Sequence, residues 1–148
     1  MAELLNPDRW IVIAASFFAV SICVLLHYEA LAGLTRLLRR MTLRARRRIL
    51  VLIPCVMAAH AAQIWVFGLT YVLLLRDPVH GAIKGGAEMN FFDYIYFSAM
   101  VFTTVGFGDL VPTGPIRFLA GMEGLTGLVF ITWSASFAFL EMQRFWKV

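Results

Sequence analysis

The chain has 148 residues, of which 61% are hydrophobic and only 15% charged, with a formal net charge of +4. An ordinary soluble domain is about 45–50% apolar and about 25% charged, so both departures point away from a soluble protein and toward a bilayer. The two cysteines, Cys23 and Cys55, both lie inside apolar runs and are expected as reduced, packed thiols rather than a disulfide.

The N-terminus, MAELLNPDRW, sets Glu3 and Asp8 against Arg9. A secretory leader opens basic, so no cleavable signal is expected. The first apolar run contains WIVIAASFFAVSICVLL and meets no charge until Glu29. Its length suffices for a helix to cross about 30 Å of hydrocarbon, which takes about 20 residues. Residues 1–34 are therefore read as an N-terminal transmembrane helix.

Residues 35–48 are read as an Arg-rich linker. Arg36, Arg39, Arg40, Arg44, Arg46, Arg47 and Arg48 crowd into it. In a soluble protein this cluster would suggest nucleic acid; between spanning-length runs it marks a cytoplasmic loop. Leu34, Leu37, Leu38 and Met41 recur at helical spacing with arginines on the other faces, the pattern of an amphipathic surface helix. Arg36, Arg39, Arg40, Arg44 and Arg47 are candidate contacts for anionic lipid headgroups, at about 1 kcal/mol per basic side chain near the surface. A plain topology anchor is the simpler role, and the two are compatible.

The second span, 49–75, carries no charge until the loop that follows it. That loop, 76–91, opens with RDPVHGAIKGGAEMN, and its Pro and Gly content suits an outer segment in which His80, Lys84 and Glu88 are solvated. The next stretch, FFDYIYFSAMVF, is placed in a helix over 92–103, with Asp93 as a partner for its N-terminal dipole. It is too short to span, and an apolar run of 10–14 residues suits a re-entrant or buried helix. The last span is 116–140, and past Arg117 at its start Glu123 is its one ionisable group.

Charge fixes the expected topology. A cytoplasmic 35–48 puts the N-terminus outside, and Arg144 and Lys147 belong in the cytoplasm. Both hold only if the short third stretch dips into the membrane and returns to the outer face.

Between that stretch and the last span lies TTVGFGDL, residues 103–110. Non-helical backbone at membrane depth survives only where protein buries it or a watery cavity meets it, because each unsatisfied polar group costs several kcal/mol. Glycines at every second position let the chain alternate between ordinary and φ > 0 conformations. Successive carbonyls can then point the same way, as they do not in a strand. A row of carbonyl oxygens plus a threonine hydroxyl suits a dehydrated monovalent cation.

TTVGFGDL resembles the filter signature of tetrameric potassium channels. FFDYIYFSAMVFTT resembles their pore helix and PIRFLAGMEGLTGLVF their pore-lining inner helix, so that 49–148 would form the pore module. The resemblance implies an outer helix 49–75, a turret 76–91, a pore helix 92–103, a filter 104–108 and an inner helix 116–140. It implies that Thr104, Val105, Gly106 and Phe107 offer carbonyls to potassium, with Gly108 at the outer mouth. It also implies filter support from Thr103, from Asp109 and from a pore-helix aromatic, for which Tyr96 is the positional candidate. Two residues depart from the commoner pattern. Phe107 stands where tyrosine is usual and cannot make that residue's hydroxyl hydrogen bond. Met100 stands where some relatives carry an acid.

One filter copy is present and a closed filter needs four, so a homotetramer is the expected assembly. Glu123 is either electrostatic support for cations or a hydrogen-bonded brace between the inner and pore helices. Gly121, Gly124 and Gly127 form a small-residue stripe that permits close packing; Gly127 also matches the family's hinge position, which makes it a gating candidate. His60 and Gln63, one turn apart, suggest an interhelical hydrogen bond, with pH sensing the alternative. Phe145 and Trp146 suit an interfacial aromatic belt.

The expected protein is thus all-α and integral to the membrane, with three transmembrane helices, a re-entrant pore helix and a filter loop. Its expected function is passive, selective potassium conduction, with no cofactor and with potassium as the permeant ligand. The alternatives are a weakly selective cation channel and a non-conducting regulatory subunit. No nucleophile–base set, phosphate loop or zinc spacing is recognisable, so no enzyme is expected. Partners would be further copies of the chain and membrane lipids, and the setting a cell membrane, with brevity pointing to a bacterial inner one.

Overall fold

The computed structural model describes residues 7–41, 45–85 and 89–145. Its described elements run α1 (Pro7–Arg40), α2 (Ala45–Leu74), a 3-10 turn (Pro78–His80), β1 (Ala82–Lys84), α3 (Phe91–Phe102), β2 (Val111–Thr113) and α4 (Arg117–Phe145). Among the described helices, three are long and apolar enough to cross a membrane, Asp8–Arg40, Arg47–Leu74 and Arg117–Arg144. The chain is a multi-pass membrane protein.

The first helix does not stop at residue 34. α1 continues to Arg40, so residues 35–40 of the expected linker extend α1 and residues 45–48 begin α2. The cause is packing. Leu34 and Leu38 lie one turn apart and are buried with Leu52 of α2, against Val56, Phe137 and Ala138. Extending an existing helix along an apolar stripe avoids the cost of a new nucleus. Arg48 closes the corner by donating from Nη2 to the Met41 carbonyl at 2.7 Å. Arg36, Arg39, Arg40 and Arg47 are exposed, Arg36 lying 3.7 Å from Glu29; Arg44 lies outside the described residues.

The helix ends define the arrangement. The C-terminal part of α1 meets the start of α2 and the last turns of α4. The N-terminal ends of α1 and α4 meet at the opposite end, where Trp10 and Ile13 face Pro115 and Phe118 across a cavity. α1 and α4 therefore run parallel, with α2 antiparallel to both. The main core gathers Val12, Cys23, Phe67, Tyr71, Phe97 and Leu119 from all four helices. Much apolar surface stays uncovered: only 17% of the most apolar window of α2 is buried.

α3 turns back beside α2. Ile95 abuts Gly68, Ser98 donates to the Ile64 carbonyl at 2.9 Å, and the Phe102 ring sits 5.8 Å from that of His60. The chain then returns, because β2 pairs antiparallel with β1 in the register Ala82↔Thr113, Ile83↔Pro112, Lys84↔Val111. The segment after α2 is thus more ordered than an outer loop of solvated residues. Asp77 caps the 3-10 turn by accepting from the Val79 N–H at 3.1 Å. His80 is buried rather than solvated, with Nδ1 2.8 Å from the Leu74 carbonyl oxygen, while its own carbonyl accepts from Ile116 N–H at 3.0 Å. These bonds pull the ring under the turn and onto the start of α4. Lys84 is exposed, and Glu88 lies outside the described residues. Cys23 is buried as expected, but Cys55 is exposed, on the uncovered side of α2; both are free thiols.

Candidate functional site

The site is the segment that links α3 to β2, and α3 aims it. Asn90 caps α3: its side chain accepts from Phe92 N–H at 2.8 Å and Asp93 N–H at 3.3 Å, while Asp93 Oδ2 accepts from Asn90 N–H at 2.7 Å. This reciprocal pair satisfies donors that every helix start leaves open. The helix begins and ends one residue earlier than 92–103, with Thr103 as its C-cap. Thr103 Oγ1 donates to the Ala99 carbonyl at 2.7 Å.

Past that cap the backbone alternates. Thr104 has φ 60°, Gly106 φ 51° and Gly108 φ 81°, while Val105 and Phe107 between them keep ordinary negative φ. Glycine enters the left-handed region freely, but a β-branched residue there is an outlier costing about 1–3 kcal/mol, a type of strain that clusters at functional sites. Backbone bonds hold the turn, Thr104 N–H donating to the Val101 carbonyl at 3.0 Å and Gly106 N–H to that of Met100 at 3.2 Å. The side chains of residues 103–109 are exposed, Val105 by 53% and Phe107 by 72%.

Three contacts fasten this unit. Tyr96 Oη donates to Asp109 Oδ2 at 2.9 Å, tying α3 to the far end of the loop. That hydrogen bond, with lesser contributions from desolvation and the carboxylate's charge, raises the Tyr96 pKa above its ordinary value. Behind α3, Glu123 is fully buried. Its Oε2 accepts from Tyr71 Oη at 2.7 Å and its Oε1 from Ser98 Oγ, so one carboxyl joins α2, α3 and α4. Ser98 Oγ also reaches the Ile64 carbonyl, and its single proton serves the two acceptors by turns. At the C-terminal end of α3, Gly127 presses against Phe102: a Cβ there would overlap the Phe102 carbonyl oxygen, with its carbon at 2.8 Å. α4 passes through Gly127 without a break. Gly124 is in ordinary contact distance of Val101, and Gly121 faces open space.

His60 and Gln63 belong to a polar cluster between α1 and α2. His60 Nδ1 is 3.1 Å from Gln63 Oε1, and Gln63 Nε2 is 3.0 Å from His27 Nδ1 and 3.4 Å from the Cys23 carbonyl. His27 stacks on Phe130 of α4 with ring centroids 4.5 Å apart.

Tyr71, Ser98 and His27 complete these arrangements without having been singled out in the sequence. Their signal is a hydrogen-bonding group inside an otherwise apolar helix, a feature that needs a partner. Among the described residues no group of three or more His, Cys, Asp or Glu side chains is placed to hold a metal.

The sequence model of a family described as "Ion channel" matches residues 59–144, more than half of the chain. The chain belongs to that ion channel family. The match takes in the C-terminal half of α2 and all of α3, the loop and β2, and agrees with the resemblance to potassium channel pores; α1 lies outside it. No curated protein and no solved structure matches this channel.

Proposed function

We propose that the chain conducts potassium selectively and passively through a filter formed by residues 104–108 of four copies. The observation that carries the reading is the alternation of left-handed φ at Thr104, Gly106 and Gly108. Such alternation lets consecutive carbonyls face one side, where they can replace the water of a potassium ion. Thr104, Val105, Gly106 and Phe107 supply these oxygens, Thr104 adds its hydroxyl, and Gly108 shapes the outer mouth. Exposure of the whole segment in one chain supports assembly, since one copy walls only one side of an ion path.

In this reading α3 is the re-entrant pore helix. It is about 18 Å long at 1.5 Å per residue, enough to descend partway and aim its negative C-terminal end toward an entering cation. Tyr96, Asp109, Thr103 and Glu123 support the filter, and Glu123 acts as a brace, because both its oxygens are occupied by hydroxyls. The N-terminus lies outside and the C-terminus in the cytoplasm, with the exposed Arg36, Arg39, Arg40 and Arg47 near anionic headgroups of the inner leaflet. The setting is a cell membrane, the bacterial inner membrane in our reading.

The test is ion flux through vesicles reconstituted with the purified chain, wild type beside Gly106→Ala. A side chain in the left-handed region costs about 1–2 kcal/mol per residue, and four copies multiply the strain. Barium-sensitive flux that follows the potassium gradient and disappears in Gly106→Ala is expected. Equal sodium and potassium permeation would replace the reading with a weakly selective channel. Absence of flux in the wild type would replace it with a non-conducting subunit.

A further inference from the structure

α1 is foreign to the matched family region, and it creates a cavity that the pore module alone would lack. The cavity lies between the N-terminal ends of α1 and α4, has a volume of about 630 Å³, and is lined by Arg9, Trp10, Ile13, Pro115, Arg117 and Phe118 along with Gly114. This size falls within the roughly 300–1,000 Å³ of typical small-molecule sites. Its lining is divided. Two guanidinium groups come from the first turns of the two helices, and the rest of the lining is aromatic or aliphatic.

The position gives the division a meaning. Asp8–Arg40 and Arg117–Arg144 are both spanning-length helices, and they run parallel. Arg9 and Arg117 therefore stand at the same membrane boundary. The apolar walls continue along the spans. Trp10, Ile13 and Phe17 follow each other at helical spacing on α1, and the Phe17 ring lies 6.3 Å from that of Phe118. One turn beyond Arg117 on α4, Gly121 leaves open space where a side chain would stand. Tryptophan at this level suits the headgroup zone.

We propose that this cavity binds one anionic phospholipid per chain, with its phosphate between Arg9 and Arg117 and an acyl chain along Ile13, Phe17 and Phe118. Guanidinium groups match phosphate oxygens with paired N–H donors. A free phosphate would satisfy the arginines but leave the apolar groove unused. The site is at the opposite end of the helices from Arg36, Arg39 and Arg40, and it depends on neither ion selectivity nor the number of copies.

The test is native mass spectrometry of the intact, detergent-purified protein after exchange into phosphatidylglycerol or phosphatidylcholine. Retention of about one phosphatidylglycerol per chain is expected, with a preference over phosphatidylcholine of about fivefold for each arginine. Arg9→Gln/Arg117→Gln should abolish the preference, Arg9→Lys/Arg117→Lys should keep part of it, and Arg36→Gln/Arg39→Gln should leave this lipid in place. Ile13→Trp, which fills the groove but keeps both charges, should also expel it. Equal retention of the two lipids by the wild type overturns the proposal. So does retention unchanged by both the glutamine pair at Arg9 and Arg117 and Ile13→Trp. Displacement of the lipid by millimolar inorganic phosphate would overturn it as well, in favour of a simple anion site.

Discussion

Gly127 separates two roles that sequence alone leaves open, a hinge in α4 and a packing contact against α3. Its neighbour on the same stripe provides the control. At Gly121 a Cβ would meet nothing within 4 Å, whereas at Gly127 it would overlap the Phe102 carbonyl and come within 3.0 Å of the Phe102 Cα. Both substitutions to alanine gain helix propensity, about 1 kcal/mol. For Gly121→Ala that gain stands alone, so stability should hold or rise. For Gly127→Ala the obstacle is backbone, which cannot rotate aside, so α3 and α4 must move apart. Overpacking of this kind costs about 1–3 kcal/mol. With a fixed obstacle the upper end applies, and a net loss of about 2 kcal/mol remains, a factor of about 30 in the folded-to-unfolded ratio. Denaturant titration of the two variants in the same detergent measures the difference. If Gly127→Ala proves as stable as Gly121→Ala and alters only channel opening, the packing argument is wrong and the hinge stands.

The buried carboxyl gives a second expectation. Tyr71→Phe should destabilise the protein by about 1–3 kcal/mol, the range for leaving a buried acceptor without its donor, and a double-mutant cycle with Glu123→Gln should show coupling of about 0.5–3 kcal/mol; additive effects would mean that the two side chains act independently. Tyr96 sets a pH limit on the outer brace. Because its pKa is raised in the folded state, its contribution is complete below the unfolded value of about 10 and fades as pH rises through the higher folded value. Ultraviolet titration should therefore find one phenol fewer above that ordinary range in Tyr96→Phe than in the wild type. An unchanged number in the variant would assign the raised group elsewhere.

The three long helices were legible because bilayer-length apolar runs impose themselves on composition, and the alternating backbone of the loop because glycines at every second position admit the left-handed conformations found at Gly106 and Gly108. What stayed hidden rests on contacts between distant residues. Glu123 was conspicuous as an acid in a span, yet its partners Tyr71 and Ser98 lie 52 and 25 residues away. The pairing of β1 with β2 involves three residues a side, too few to leave a periodic pattern. His80 looked solvated because it is polar and adjoins glycine; the bond to Leu74 that buries it is set by the 3-10 turn. The end of α1 was misplaced because arginines at 36, 39 and 40 suggest a break, whereas Leu34 and Leu38 continue its buried face. The left-handed conformation of Thr104 ran against the preference of its side chain, and the backbone bonds to Met100 and Val101 at the end of α3 hold the turn around it.

These contacts have a common consequence for α3. It is held near its start by Ile95 against Gly68, midway by Ser98 at Glu123 and Ile64, and at its end by Phe102 against Gly127. α2 and α4 supply all three holds, so the helix that aims the loop cannot shift unless one of them shifts too. The added helix α1 grips the same two helices, through His27 on Gln63 and His27 on Phe130. One connection of α1 to the end of α3 is a relay of rings, from His27 to His60 at 5.6 Å and from His60 to Phe102 at 5.8 Å. An influence of α1 on conduction through this relay passes by the positions of α2 and α4 around His60 and Phe130. It falls on the end of α3 where the helix gives way to Thr103 and the strained backbone of Thr104.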